Sequence, residues 1–210
     1  MKNNSNTNQD IRDIKNMMER SSRFLSLSGL SGISVGIIAL LGVFVASGIL
    51  ESAETRHNNF IFFIQPFFFE QVLYPMLILS LSILILALGS AFLFSWRKAR
   101  TNGLKLWGAT TRRWLINLFI PLIAGGFFIL ILIDKNTESL VASTSLIFYG
   151  LALVNAGKYT FGEIHYLGIF EIVLGILAGV FINQSLFFWA VGFGVLHIIY
   201  GLVMYFRYER

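Results

Sequence analysis

Long apolar stretches separated by short polar segments occupy almost the whole of this chain. A helix needs about 20 apolar residues to cross a bilayer core of about 30 Å, and each stretch approaches or exceeds that length. The chain has six of them: Phe24–Leu50, Gln71–Trp96, Trp114–Ile133, Ser139–Gly157, Ile164–Ile182 and Leu186–Phe206. The pattern predicts an all-α, polytopic transmembrane bundle of six spans.

The polar segments separate the spans, and the shortest of them predict which spans are neighbours. Residues 1–23 predict a cytoplasmic segment with a short amphipathic helix on the membrane surface, or alternatively a partner-binding helix. Residues 24–206 are expected to form the membrane domain, and residues 207–210 a cytoplasmic tail. The connections Asp134–Glu138 and Asn183–Ser185 are short enough to predict tight hairpins. Spans 3 and 4, and likewise 5 and 6, should therefore be antiparallel neighbours.

Composition and charge support a membrane protein. Charged residues make up 13% of the chain, against about 25% in soluble domains. The absence of cysteine excludes disulfides, thiolate metal sites and a cysteine nucleophile. With the N-terminus inside the cell, only Arg56 and Lys135 of the 16 Lys and Arg residues would lie outside. Because cytoplasmic segments are enriched in positive charge, both termini are predicted to be cytoplasmic.

The connection between spans 2 and 3 is the most basic part of the chain. It contains six basic residues and no acidic one: Arg97, Lys98, Arg100, Lys105, Arg112 and Arg113. We expect these side chains to contact anionic lipid headgroups at the cytoplasmic face. Alternatively, these basic residues only set the topology, or they bind a regulator. Nucleic acid is not an expected partner, because this charge lies at the membrane edge.

Small residues recur where helices could pack closely. Helices associate in lipid largely through such residues, because lipid tails are as apolar as leucine. The candidate packing positions are Ser28, Gly32 and Gly36 in span 1, Gly175 and Gly179 in span 5, and Gly194 and Gly201 in span 6.

Glu171 is the only carboxylate inside a predicted span. A charge there costs at least ~2.5 kcal/mol, so this side chain should face protein or water. Glu171 shares a helix face with Gly168 and Gly175, and His197 shares one with Gly194 and Gly201. The two lie at similar depths in adjacent spans, which predicts a Glu171–His197 hydrogen bond or ion pair.

Other polar residues are expected near this pair. The predicted intramembrane cluster comprises Glu171, His197, Asn155, Asn117, Tyr200 and Tyr149. One interpretation is a satisfied internal network that holds the helices in register. The other is a proton-responsive or substrate-binding site, because ionisable groups inside membranes often have a function.

Two short motifs raise the question of hydrolysis. Residues 32–36 match G-x-S-x-G, but the hydrolase elbow needs a strand-to-helix turn and these residues lie within a helix. Gly29-Leu30-Ser31-Gly32 resembles the GxSG of rhomboid intramembrane proteases, which also have a histidine on their last core span. The resemblance implies a serine hydrolase using Ser31 and His197. The alternative is that Ser31 is a small packing residue.

Longer segments resemble a family of small, functionally uncharacterised bacterial integral membrane proteins with six spans. They include ATTRRWLINLFIPLIAGG, LIFYGLALVNAGKYT and FGVLHIIYGLVMYFRYER. The resemblance implies a bacterial inner membrane and no particular activity. We expect a structural, regulatory or sensory membrane protein without cofactor, metal or catalytic residue. The sequence leaves open a homo-oligomer or a membrane partner. A small-solute or proton-coupled transporter using Glu171 and His197 is the alternative, and an intramembrane serine hydrolase is the third.

Overall fold

The computed structural model describes residues 28–59, 72–103 and 107–210, without the side chains of residues 53–59. Helices α1 to α7 span Gly29–Asn59, Tyr74–Thr101, Ala109–Asp134, Val141–Ala156, Gly162–Val180, Ser185–Trp189 and His197–Tyr208. The described ranges contain no β-strand. Lipid offers no partner for backbone polar groups, so a chain this apolar satisfies them within helices. The all-α prediction is confirmed.

The sixth span is a single helical run made of different turns. A 3₁₀ turn, Ile182–Gln184, leads into α6, and a π-helical segment, Ala190–Leu196, joins α6 to α7. In the described chain, six helices are long and apolar enough to cross a membrane: Gly29–Ser52, Tyr74–Thr101, Ala109–Asp134, Glu138–Tyr159, Gly162–Val180 and Ile182–Tyr208. The predicted number of spans is therefore confirmed.

The two predicted hairpins turn in different ways. Between α3 and α4, Asn136 adopts a left-handed conformation with φ 55°, and the Thr137 N–H donates to Leu132 O at 2.9 Å. This is a common way to end a helix. Between α5 and α6 the connection is Phe181–Gln184, whose last three residues form a 3₁₀ turn, so it overlaps the predicted hairpin at Asn183 and Gln184. The polar residues therefore mark this turn, which begins two residues earlier at Phe181.

Packing places the helices in the order α2, α1, sixth span, α5, α4, α3. The α4–α5 contact is the most extensive, and α1 packs along both α7 and the π-helical segment. The sixth span also contacts both α5 and α4 through α6. The junction of α4, α5 and the sixth span is therefore a point where three spans meet, and it contains Glu171.

Two glycine-lined crossings hold the spans together. Where α1 crosses the sixth span, a Cβ placed on Gly32 would lie 2.9 Å from Gly201 Cα, and one on Gly36 would lie 2.6 Å from Gly194 O. Where α4 crosses α5, a Cβ on Gly150 would lie 2.6 Å from Gly168 O. Only residues without a side chain fit such contacts, as expected for helices that associate in lipid.

The small residues that the sequence marked as packing positions face different helices. Gly175 and Gly179 of α5 face Ile147 and Ser143 of α4, whereas Gly194 and Gly201 face α1. The small-residue faces of the fifth and sixth spans therefore do not pack on each other.

Three parts of the chain that the sequence analysis covers lie outside the described residues. They are residues 1–23, most of the connection Glu51–Gln71 between the first two spans, and Lys105.

Candidate functional site

Glu171 lies at the middle of α5, nine residues from either end, and is completely buried. Its carboxyl and the Leu146 side chain of α4 both lie against Gly192 of the π-helical segment. A Cβ placed on Gly192 would lie 2.5 Å from Glu171 Oε2 and 2.6 Å from Leu146 Cδ2. The space for this carboxyl therefore depends on the absence of a side chain at residue 192.

His197 follows the π-helical segment directly and is 4% exposed. Its Nδ1 lies 3.0 Å from Gly192 O and 3.4 Å from Glu171 Oε1, and its Nε2 lies 2.8 Å from the Tyr149 hydroxyl. A carbonyl oxygen only accepts hydrogen bonds, so Nδ1 carries a hydrogen. A neutral imidazole then accepts a bond at Nε2 from the Tyr149 hydroxyl, and both ring nitrogens are satisfied.

The Glu171 carboxyl is not satisfied in the same way. Within the described part of the chain, neither of its oxygens has a hydrogen-bond partner. The 3.4 Å separation from His197 Nδ1 exceeds the usual N–H···O range of 2.7–3.2 Å. Nearly all buried polar atoms in proteins are hydrogen-bonded, and an unpaired buried carboxylate is costly. The pair is close together, but the satisfied network that the sequence allowed for is incomplete at this residue.

Aromatic rings surround the histidine. Trp189, Phe193 and His197 recur every four residues and share a face of the sixth span. The Phe193 ring centroid lies 4.7 Å from that of Trp189 and 4.9 Å from that of Tyr149. The Tyr149 and His197 centroids are 5.4 Å apart. This packing fixes the imidazole against α4 in an apolar environment.

The remaining members of the predicted polar cluster lie elsewhere. Asn155 Nδ2 donates to Asn117 O at 3.1 Å, and Asn117 Nδ2 donates to Arg113 O at 2.8 Å, so these residues join α4 to α3. Tyr200 packs in the apolar core with Met204, and its hydroxyl has no hydrogen-bond partner among the described residues. The structure thus brings together Glu171, His197 and Tyr149, with the two asparagines forming a separate contact.

The geometry does not pair Ser31 with His197. The Ser31 hydroxyl donates to the backbone oxygen of Ser28, the residue that precedes α1. Both ring nitrogens of His197 are bonded to Tyr149 and Gly192. Ser31 is buried, as a packing residue would be. The arrangement that a serine hydrolase requires is absent at these two residues.

A second polar cluster, which sequence reasoning missed, lies where α1 begins and α7 ends. Glu209 Oε1 accepts a hydrogen bond from the Gly29 backbone N–H and lies 3.1 Å from Lys98 Nζ. Glu209 Oε2 accepts from the Ser28 hydroxyl at 3.2 Å. One carboxylate therefore caps α1 and pairs with the last turn of α2. We call these four residues the Glu209 clasp.

A neighbouring contact ties α7 to α5. Glu163 Oε1 accepts from Arg207 Nη1 at 2.8 Å and from the Tyr208 hydroxyl at 2.9 Å. The Tyr208 ring also packs on Phe161, with centroids 4.5 Å apart. The signal in the sequence was the pair of acidic residues, Glu163 and Glu209, at the ends of spans that are otherwise flanked by basic ones.

The basic residues between α2 and α3 separate into two groups. Arg97, Arg100, Arg112 and Arg113 are exposed. The Arg100 guanidinium lies over the Trp96 ring, 5.9 Å from its centroid. Lys98 differs, because its side chain is only 10% exposed and its ammonium is directed at Glu209. The headgroup contact expected from the sequence therefore has an available surface at the arginines, whereas Lys98 is committed to the clasp.

Comparison of the chain with protein families, curated proteins and solved structures finds no significant match. The function is therefore argued from the geometry of these residues.

Proposed function

We propose that this integral membrane protein has a regulatory or sensory role and that its responsive group is the carboxyl of Glu171. The observation that supports this proposal is a fully buried carboxyl with neither oxygen hydrogen-bonded in the described part of the chain. A residue kept only for stability would be expected to have its partners in place, because an apolar residue of similar size often stabilises such a position better.

The species that this site fits is a proton. Metal ions such as Ca²⁺ take six to eight oxygen ligands and need space for them. Glu171 Oε2 lies so close to Gly192 that an added Cβ there would be 2.5 Å away, and the side chain is completely buried. A proton needs neither a coordination shell nor additional volume. Its arrival converts a charged carboxylate into a neutral acid, and this change is large in an apolar environment.

Infrared spectroscopy of the protein in lipid bilayers tests the proposal. A protonated carboxyl has its own C=O stretching band, and we expect a band that changes with pH and is missing in Glu171→Gln. Glu163→Gln is the matched control, because Glu163 lies in the first turn of the same helix and should not remove the band. A Glu171 band of constant intensity over the whole pH range in which the protein stays folded would reject a responsive role.

Proton-coupled transport is the second candidate. It is supported by the central depth of Glu171 and by the irregular backbone of the adjacent π-helical segment, because transporters place their sites near the midplane beside interrupted helices. Proton flux into liposomes, driven by a potassium diffusion potential and read with an internal pH dye, separates the two. Flux that Glu171→Gln abolishes indicates transport, whereas titration of Glu171 without flux indicates a sensor.

We also propose that both termini face the cytoplasm of a bacterial inner membrane, with the exposed arginines of the α2–α3 connection on anionic headgroups. The proposal rests on the one-sided distribution of basic residues along the chain. Reporter fusions test it: a reporter after Arg210 should be active only in its cytoplasmic form, and one inserted at Lys135 only in its external form. The reverse pattern would overturn the orientation.

A further inference from the structure

We infer that His197 transmits the charge state of Glu171 to the backbone of the π-helical segment Ala190–Leu196. The inference rests on the proposed function, since it concerns how protonation of Glu171 is passed to the rest of the protein. It is carried by three atoms that lie close together: His197 Nδ1, Gly192 O and Glu171 Oε1.

One hydrogen faces two acceptors. The Nδ1–H of His197 lies 3.0 Å from Gly192 O and 3.4 Å from Glu171 Oε1. Hydrogen bonds to an ionised acceptor are roughly twice as strong as those between neutral groups. An ionised Glu171 therefore attracts the Nδ1–H away from the carbonyl, whereas a protonated Glu171 leaves it there. The observed distances, with the carbonyl closer, correspond to the protonated arrangement.

The competing carbonyl belongs to the distorted turn of the sixth span. In an α-helix Gly192 O would accept from the backbone N–H of Leu196. Here the His197 ring bonds to that carbonyl, and the His197 backbone N–H is directed at Gly194 O. If the Nδ1–H turns to Glu171, Gly192 O loses this donor, and the Leu196 N–H of an α-helical turn would replace it. Loss of the proton from Glu171 should thus favour conversion of the π-helical turn towards α-helix.

The surrounding groups make the coupling specific. Tyr149 of α4 holds Nε2 at 2.8 Å, which keeps the ring from rotating and presents Nδ1 to the two acceptors. Tyr200, on α7 one turn further on, is the other titratable side chain of the sixth span near this pair, and its hydroxyl makes no bond with the described residues. Gly192 both leaves room for the carboxyl and supplies the carbonyl.

π-Helical turns are uncommon and occur frequently at functional sites. A change in register within this turn would rotate the residues on either side of it. It would also displace residues of the segment itself, such as Gly194, which lies against Leu40 of α1. The charge on a carboxyl in α5 would in this way reach α1, a helix that packs on the opposite side of the sixth span.

Magnetic resonance of the full chain in lipid bilayers tests the inference without any assay of activity. With ¹³C-labelled glycine carbonyls and ¹⁵N-labelled histidine, the Gly192 carbonyl and His197 Nδ1 signals should shift together, with the same midpoint as the Glu171 infrared band. The Gly150 carbonyl, at the α4–α5 crossing, is the internal reference and should not follow that midpoint. In Glu171→Gln the shifts of both Gly192 and His197 should disappear.

His197→Phe provides the second test, because it keeps a ring and removes the nitrogen that donates. In that variant Glu171 should still titrate while the Gly192 carbonyl no longer follows it. His165→Gln, on α5, is the control and should leave the response intact. A Glu171 band that titrates while the Gly192 carbonyl stays constant overturns the inference and leaves the proposed function standing. A Gly192 response that persists in His197→Phe also overturns it, and a Glu171 that never titrates rejects both.

Discussion

At the scale of single residues, Gly192 decides whether Glu171 can be buried. The carboxyl occupies the volume that any side chain at residue 192 would take. The sequence alone identified Glu171 and His197, because a carboxylate is rare in an apolar span and both residues lie on a defined helix face. It did not identify Gly192, because Gly is frequent throughout these spans and nothing local distinguishes one that faces a carboxyl from one that faces lipid.

Gly192→Ala should lower the thermal unfolding midpoint of the purified protein in detergent. The added methyl group would lie 2.5 Å from Glu171 Oε2 and 2.6 Å from Leu146 Cδ2, and overpacking of this kind costs about 1–3 kcal/mol. Gly126→Ala is the control, because a Cβ at Gly126 meets no atom within 4 Å. Equal midpoints for the two variants would show that the carboxyl is not confined as described.

Glu171→Gln should keep the folded yield and leave the unfolding midpoint unchanged or raise it. The substitution keeps the shape of the side chain while removing a carboxyl whose oxygens have no hydrogen-bond partner among the described residues. Replacing a buried ionisable group that lacks hydrogen-bond partners is often neutral or stabilising. Size-exclusion chromatography and a melting curve measure the outcome. A loss of folded protein would instead indicate that Glu171 holds the spans in register.

At the scale of the helices, the hydropathy pattern predicted six spans because each must be apolar along its length. At the turn after α5 it placed the connection at Asn183–Ser185, whereas the connection begins two residues earlier, at the apolar Phe181. The pattern also left open which small-residue face meets which helix. Gly175 and Gly194 each belong to a row of small residues on one helix face, yet Gly175 packs on α4 and Gly194 on α1. That choice depends on tertiary packing and not on any single segment.

The Glu209 clasp should contribute measurably to the attachment of α2. Glu209→Ala leaves Lys98 largely buried without its carboxylate, since the two side chains are 10% and 12% exposed. Removing one partner of a buried ion pair costs about 3–5 kcal/mol. The Lys98–Glu209 pair is almost fully buried, so we expect a loss of stability close to that range. Asp134→Ala is the control, because the Asp134–Lys135 pair is mostly exposed and should be worth about 0–1 kcal/mol. Similar melting temperatures for both variants would contradict the assignment.

At the scale of the whole molecule, the order of the helices determines what each surface meets. The outermost helices, α2 and α3, are almost unburied along their apolar windows, at 0% and 6%. A surface of this composition is stable only with lipid as its solvent. Overall composition indicated this from the sequence, but which helices lie at the two ends of the row depends on the contacts that α1 and the sixth span make with each other.

Leu88→Asp should reduce the fraction of chains inserted in the membrane. Leu88 lies near the middle of α2 and is 58% exposed. An aspartate at the centre of a span costs about 2.5–3.5 kcal/mol on insertion scales. Leu88→Ala removes the same apolar side chain without adding charge and should insert almost as well. Carbonate extraction of membranes measures both variants. Equal insertion of the two would imply that this face of α2 meets water.

The carboxylate that caps α1 belongs to a residue 180 positions further along the chain than Gly29. A ribosome therefore delivers the amino end of α1 to the bilayer long before its cap has been synthesised. Until then the Gly29 N–H at that end of the helix lacks its carboxylate acceptor, and water at the membrane surface can accept its hydrogen bond instead. This end of α1 is thus locked in position only once the end of α7 has been made.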